Sequence, residues 1–225
     1  MFGRINGGNH MTNQEKINQI EAYVKQIHNG DSSGHDWYHI DRVRKLAKTI
    51  ALKENADSFI VECAALVHDV IDDKLITDLK EQREQLEEFL SKTLQSEEQV
   101  SFVFDIIDNI SYKGGNGTIP SSIEGKIVQD ADRLDALGAI GVARTFAYGG
   151  KKNRSMYNPD FEIRENMTIE EYRSDKSSSL HHFYEKILKL KDLMNTETAK
   201  VIAEERHHFV GTFIDQFMKE WNSIE

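Results

Sequence analysis

The chain has one cysteine, two prolines and fewer cationic than anionic side chains, and it holds no long apolar run. A lone Cys63 excludes an internal disulfide framework and fits a reducing compartment. With prolines only at positions 120 and 159, most of the chain is free to run as uninterrupted helix. The longest apolar segment, Val61 to Ile71, is broken by His68 and Asp69 and is too short to cross a bilayer. Lys and Arg number 28 against 38 Asp and Glu, a formal charge of -10. That balance argues against a nucleic-acid polymer as partner, since phosphate backbones are gripped by surplus cations. It does not exclude a small phosphate ligand, because a metal and a few local cations can overcome the mean field. No Walker loop, GxGxxG element or Ser-His-Asp order offers a nucleotide or nucleophile motif. The opening MFGRINGGNH lacks a signal-peptide apolar region, so residues 1–11 read as a leader outside the folded unit. We expect a cytoplasmic protein with no membrane partner.

What is present is helical periodicity. At 225 residues, 39% of them hydrophobic, the chain can bury one sizeable core. Ile17, Ile20, Val24 and Ile27 recur at three- and four-residue steps, as do His39, Val43, Leu46 and Ile50. Asp57 is positioned to cap a helix over Ser58 to Ile71 that is apolar nearly all round, which places it at the centre of a domain. Further helices are expected over Asp78 to Lys92, Ser96 to Ile110 and Ser122 to Tyr148, the last with a break near Gly138. Two more are expected over Ser178 to Met194 and Thr196 to Trp221. Lys113 to Pro120 and Gly149 to Thr168 read as irregular. The fold class is therefore all-α, a single compact helical bundle over residues 12–225.

Three pieces carry chemistry. His68-Asp69-Val70-Ile71-Asp72-Asp73 puts an imidazole and several carboxylates at the end of the most buried helix. Burying unpaired carboxylates is costly, and a cation supplies the missing partner. His39 lies on an apolar stripe and so faces inward. Asp132 and Asp135, within Gln129 to Gly138, share a helical face with Val128 and Ala139. Two imidazoles and two carboxylates suit a six-coordinate divalent ion with room for water and a substrate oxygen. From the residues alone, His35 competes with His39 one turn away, and Asp130 competes with Asp132.

The order His…His-Asp…Asp resembles the HD superfamily of metal-dependent phosphohydrolases. The likeness rests on Gly34-His35-Asp36-Trp37-Tyr38-His39-Ile40-Asp41-Arg42-Val43, then Ala65-Leu66-Val67-His68-Asp69, then Asp130-Ala131-Asp132-Arg133-Leu134-Asp135. Within that superfamily the chain is most similar to the YpgQ group of bacterial nucleotide pyrophosphohydrolases. His182 to Lys186 and Ala203 to Arg206 extend the match toward the C-terminus.

The resemblance implies His39, His68, Asp69 and Asp132 as metal ligands. It leaves His35, Asp130 and Asp135 to orient those ligands through hydrogen bonds. An acidic residue soon after His-Asp positions or deprotonates the attacking water in such enzymes. Asp72 holds that place here, with Asp73 as second choice. Guanosine tetraphosphate hydrolases carry Glu where Asp72 stands, a departure that weakens that closer analogy. Lys74, Lys113, Arg133, Arg144, His182, Lys186 and Arg206 are the candidate phosphate contacts. Imidazole ligands favour a transition metal, and Mn2+ is the expected ion, with Fe, Co, Ni or Mg as alternatives. The implied reaction is hydrolysis of ribo- or deoxyribonucleoside triphosphates to monophosphate and pyrophosphate by a metal-activated water. A nucleotide phosphomonoesterase or phosphodiesterase, or a non-catalytic nucleotide- or metal-sensing module, are the competing readings. A homodimer is a further expectation.

Overall fold

The structure, a computed structural model, describes residues 11–28, 36–71, 79–110, 117–165, 168 and 177–224. The leader, apart from Met11, lies outside the described residues. So do His35, Asp72, Asp73, Lys74 and Lys113. Among the described residues the fold is all-helical, with no strand. No described helix is long and apolar enough to cross a membrane.

Local signals start each of the early helices. Helix α1, Asn13–Ile27, opens on a capping box in which Thr12 and Glu15 satisfy each other's backbone N–H groups. Helix α2, Trp37–Glu54, starts at Asp36, whose carboxylate accepts the His39 N–H at 3.0 Å. Helix α3, Ser58–Val67, starts at Asp57, which accepts from Phe59 and Ile60. From Ile60 to Val67 every residue of α3 is buried. It touches α1 and α2, and it also packs against α5, Glu97–Asn109, and α6, Ile123–Asp135. This is the central position that its all-round apolarity requires. Helix α4, Leu79–Leu94, lies against α1 and α5, with Phe89 stacked on Tyr23 at 4.0 Å.

Two helices end differently from the periodic expectation. Helix α3 stops at Val67 rather than Ile71, and the chain turns through residues 68–71. His68 Nδ1 lies 2.8 Å from the Ala65 carbonyl, the acceptor that the Asp69 N–H would take in a continued helix. The stretch expected as one helix over Ser178 to Met194 is instead α8, Ser179–Glu185, followed by a tighter 3-10 helix, Ile187–Leu193. The break expected near Gly138 is real. Helix α6 ends at Asp135 and α7, Gly138–Lys151, begins with Gly138 at φ +70, where a side chain is strained. Gly141 has no room for a Cβ, which would sit 2.1 Å from the Ala136 carbonyl oxygen. The irregular stretch expected from Gly149 therefore begins after Lys151.

The last helix, α9, Glu197–Trp221, packs on α2, α6, α7 and the 3-10 helix. Its start is fixed by Asp130 of α6. That carboxylate accepts from Asn195 N and Nδ2 at 2.9 and 2.8 Å, and from Thr196 N and Oγ1 at 2.8 Å each. The Arg133 guanidinium donates to the Leu193 carbonyl, and Arg206 of α9 donates to the Leu134 carbonyl at 2.6 Å. These bonds lock α6 to the end of the chain. Asp130 is fully buried, so Asp130→Ala strands four donors. We expect it to lower unfolding free energy by about 3 kcal/mol, read from the urea midpoint. A loss well under 1 kcal/mol would show that the anchor is dispensable.

Candidate metal centre

Helices α2, α3 and α6 converge on one cluster. His39 sits in the first turn of α2, His68 and Asp69 on the turn that ends α3, and Asp132 and Asp135 in the last turns of α6. The two imidazoles point their Nε2 atoms at each other across 3.3 Å. Each ring is held from behind. His39 Nδ1 lies 2.7 Å from Asp135 Oδ2, and His68 Nδ1 lies 2.8 Å from the Ala65 carbonyl. A carbonyl accepts only, so the His68 ring donates from Nδ1 and leaves Nε2 to face His39. Two unprotonated Nε2 atoms cannot face each other at this distance without a cation between them.

Carboxylates complete the set. Asp69 Oδ2 is 3.3 Å from His39 Nε2, and Asp69 Oδ1 is 3.5 Å from His68 Nε2. Asp132 Oδ1 is 3.5 Å from His39 Nε2 and 3.8 Å from His68 Nε2. Ligand atoms of His39, His68 and Asp69 all lie within 4.8 Å of one another, and all three residues are buried. Donors at about 2.1 Å from a shared six-coordinate ion stand roughly 3 Å apart when adjacent. The donor set and its spacing therefore fit a divalent ion with imidazole and carboxylate ligands.

Asp135 is the point from which the site is braced. Its Oδ2 receives His39 Nδ1, Arg42 Nη2 at 3.0 Å and Arg144 Nη1 at 2.9 Å, while Oδ1 receives Arg42 Nε at 2.8 Å. Burial works against the Asp135 anion. The bonds from His39 and Arg42 outweigh it, holding this carboxyl well below the usual range. Burial likewise opposes charge on His39, but its bonds to Asp135 and Asp69 raise it to about 9. Arg42 is part of the first motif, but the motif alone assigns it no role. Its signal is spacing, since it stands three residues after His39 and so shares its helix face.

Other residues singled out in the sequence are engaged elsewhere. Asp130 is turned to the start of α9, and Arg133 and Arg206 give hydrogen bonds to backbone carbonyls. The Asp130 expectation is thus corrected: a buried carboxylate is drawn to the unpaired N–H groups at a helix start. His182 and Lys186 belong to α8 and its C-cap, and α8 packs on α7. Burial, with the positive charges of Lys186 and Arg154, holds His182 down to about 3, so it stays neutral. Arg144, a candidate phosphate contact, is tied to the cluster by its hydrogen bond to Asp135.

The HD domain family model matches residues 36–137, the span that holds all five residues of the cluster. Bacillus subtilis YpgQ is 42% identical over 217 residues, which is 96% of this chain and 98% of that protein. The chain belongs to the HD superfamily. A crystal structure of B. subtilis YpgQ in complex with ADP aligns at 41% identity and a TM-score of 0.76, covering 93% of this chain and 97% of that one. An HD-superfamily hydrolase from Bacillus thuringiensis aligns at 49% identity and a TM-score of 0.73, covering 94% and 99%.

The raised pKa of His39 has a signed consequence for this HD domain. Without metal, the folded protein keeps a proton on His39 up to about pH 9, whereas an unfolded histidine loses it near 6.5. The stability from that proton is complete below about pH 6.5 and is lost as pH rises through about 9. A metal must displace the proton, so Mn2+ affinity should rise about tenfold per pH unit and level off near pH 9. Titration calorimetry in two buffers of different ionisation enthalpy reads the released proton. Affinity that is flat between about pH 6 and 8 would contradict this account.

Proposed function

We propose that the chain hydrolyses nucleotides, converting (deoxy)nucleoside triphosphates to a monophosphate and pyrophosphate at the His39–His68–Asp69–Asp132 centre. One observation carries the reading: four ligand atoms from three helices converge, closed on the histidine side and open at Asp132. The His39 side chain is 1% exposed and that of Asp132 38%. A closed face fixes an ion and an open face admits a phosphate. The ADP complex of YpgQ supports a nucleotide as the ligand.

A bound divalent ion, for which we propose Mn2+, polarises a phosphoryl oxygen and makes a water molecule more acidic. The chain's own residues do the rest. Asp135 fixes the His39 ring, and the Ala65 carbonyl fixes the His68 ring, so neither imidazole reorganises when substrate arrives. Arg144, bound to Asp135, places positive charge beside the cluster, where negative charge on the phosphoryl oxygens builds. Asp72, three residues after Asp69 in sequence, is our candidate to orient or deprotonate the water, with Asp73 second.

The decisive assay measures products from a nucleotide panel with added Mn2+. Pyrophosphate with the matching monophosphate is the expected result. Orthophosphate alone would point to a phosphomonoesterase, and metal binding with no turnover would point to a sensor. Asp69→Ala should cost more Mn2+ affinity than the roughly 10–100-fold typical of losing an outer hydrogen-bond partner, and turnover with it. Asp72→Ala should keep the metal and lose about 100-fold or more in rate. An Asp69→Ala protein that retained both metal and rate would sink the reading.

A further inference from the structure

Arg42 stands three residues after His39 on α2, and its side chain is 35% exposed, against 4% for Asp135 and 19% for Arg144. It grips Asp135 through Nε and Nη2, at 2.8 and 3.0 Å. That fork uses one edge of the planar guanidinium, and the Nη1 edge points away from Asp135. The same Asp135 carboxylate holds His39 Nδ1, so the cation is anchored one residue removed from the metal-facing Nε2 atoms. Arg42 and Arg144 both bring cationic side chains to Asp135, and Asp36 and Asp41 also lie close enough to act on Arg42.

Arg42 fills Asp135 Oδ1 and shares Oδ2 with His39 and Arg144, a task that takes only one edge of its guanidinium. We propose that Arg42 binds the phosphate of the substrate, with Asp135 holding its guanidinium in place. This rests on the nucleotide reading above. Asp135 then serves two tasks with one carboxylate: it fixes the tautomer of His39, and it aims the phosphate-binding arginine. Arginine is suited to this because it can fork a carboxylate with one edge and donate to a phosphate with another, which lysine cannot do.

The test separates binding of metal from binding of phosphate. Mn2+ is titrated into metal-free wild type, Arg42→Ala, Arg42→Lys and Asp135→Asn by calorimetry, and ADP is then titrated into each Mn2+-loaded protein. Arg42→Ala should lose at least about tenfold in ADP affinity while Mn2+ affinity stays within about threefold. Arg42→Lys, which keeps the charge without the fork, should recover part of the ADP affinity. Asp135→Asn should lose about 10–100-fold in Mn2+ affinity. Unchanged ADP affinity in Arg42→Ala overturns the proposal. So does a loss of Mn2+ as large as that of Asp135→Asn, which would make Arg42 a brace alone. A wild type that binds neither ADP nor inorganic phosphate overturns it as well. If the wild type turns over no nucleotide yet Arg42→Ala shows the expected ADP loss, the hydrolase reading falls and the Arg42 assignment stands. If the wild type turns over nucleotide and Arg42→Ala leaves KM and ADP affinity unchanged, the hydrolase reading stands and the Arg42 assignment falls.

Discussion

The buried hydrogen bond between Asp135 and His39 is the contact on which the centre depends. A carboxylate that is 4% exposed needs donors on both oxygens, and Asp135 finds four, from His39, Arg42 twice and Arg144. These donors come from α2 and α7, so one side chain of α6 ties together the helices on either side of it. The bond to Nδ1 also determines what the opposite ring nitrogen can do. With Nδ1 committed, Nε2 is the atom left to meet His68, Asp69 and Asp132. Fold and chemistry meet in that ring.

The remaining ligands follow from how α3 ends. A helix buried all round delivers its last residues to the middle of the domain, where polar groups are expensive. The chain lowers that cost by letting His68 take the Ala65 carbonyl, which turns the backbone and brings Asp69 beside both imidazoles. Asp132 arrives from α6, three residues before Asp135 and so on the same face. Three helices thus supply the donors, and each is fixed by packing that serves the core as well.

How much of this was legible in the sequence depended on whether a residue's partner was local. His68-Asp69 stood out because polar residues interrupt an apolar run, and His39 because it falls on an apolar stripe. The cap at Asp57 and the break near Gly138 are likewise written within a few residues. Helix α6 defeated the same method. It is buried on nearly every side, so periodicity could not tell the face carrying Asp135 from the face carrying Asp130. Asp130, Arg133 and Arg206 bond to groups about 60 to 70 residues distant, backbone groups among them, and nothing in a local pattern announces them. The shift from α-helix to 3-10 helix after Glu185 was hidden for a similar reason. Leu190 and Ile187 remain buried under either geometry, so their spacing does not decide between them.

The charge of the whole chain and the charge of the centre have opposite implications, and the local one governs binding. At -10 the protein repels polyanions at long range, but that repulsion is screened beyond about 8–10 Å at physiological salt. Inside that distance the aspartates at 69 and 132 would balance a divalent ion, and Arg42 and Arg144 both pair with Asp135. Exposure rises in step with this arrangement, from 1% at His39 to 19% at Arg144, 35% at Arg42 and 38% at Asp132. The groups most accessible to solvent are thus the two arginines and one metal-facing carboxylate. A phosphate reaching the centre would meet Asp132 as its most exposed member, with Arg42 and Arg144 paired to Asp135 behind His39. A long nucleic acid would have to lay many further phosphates along an acidic surface. On the proposed function, net charge disfavours a polymer while local cations leave the centre open to a small phosphate.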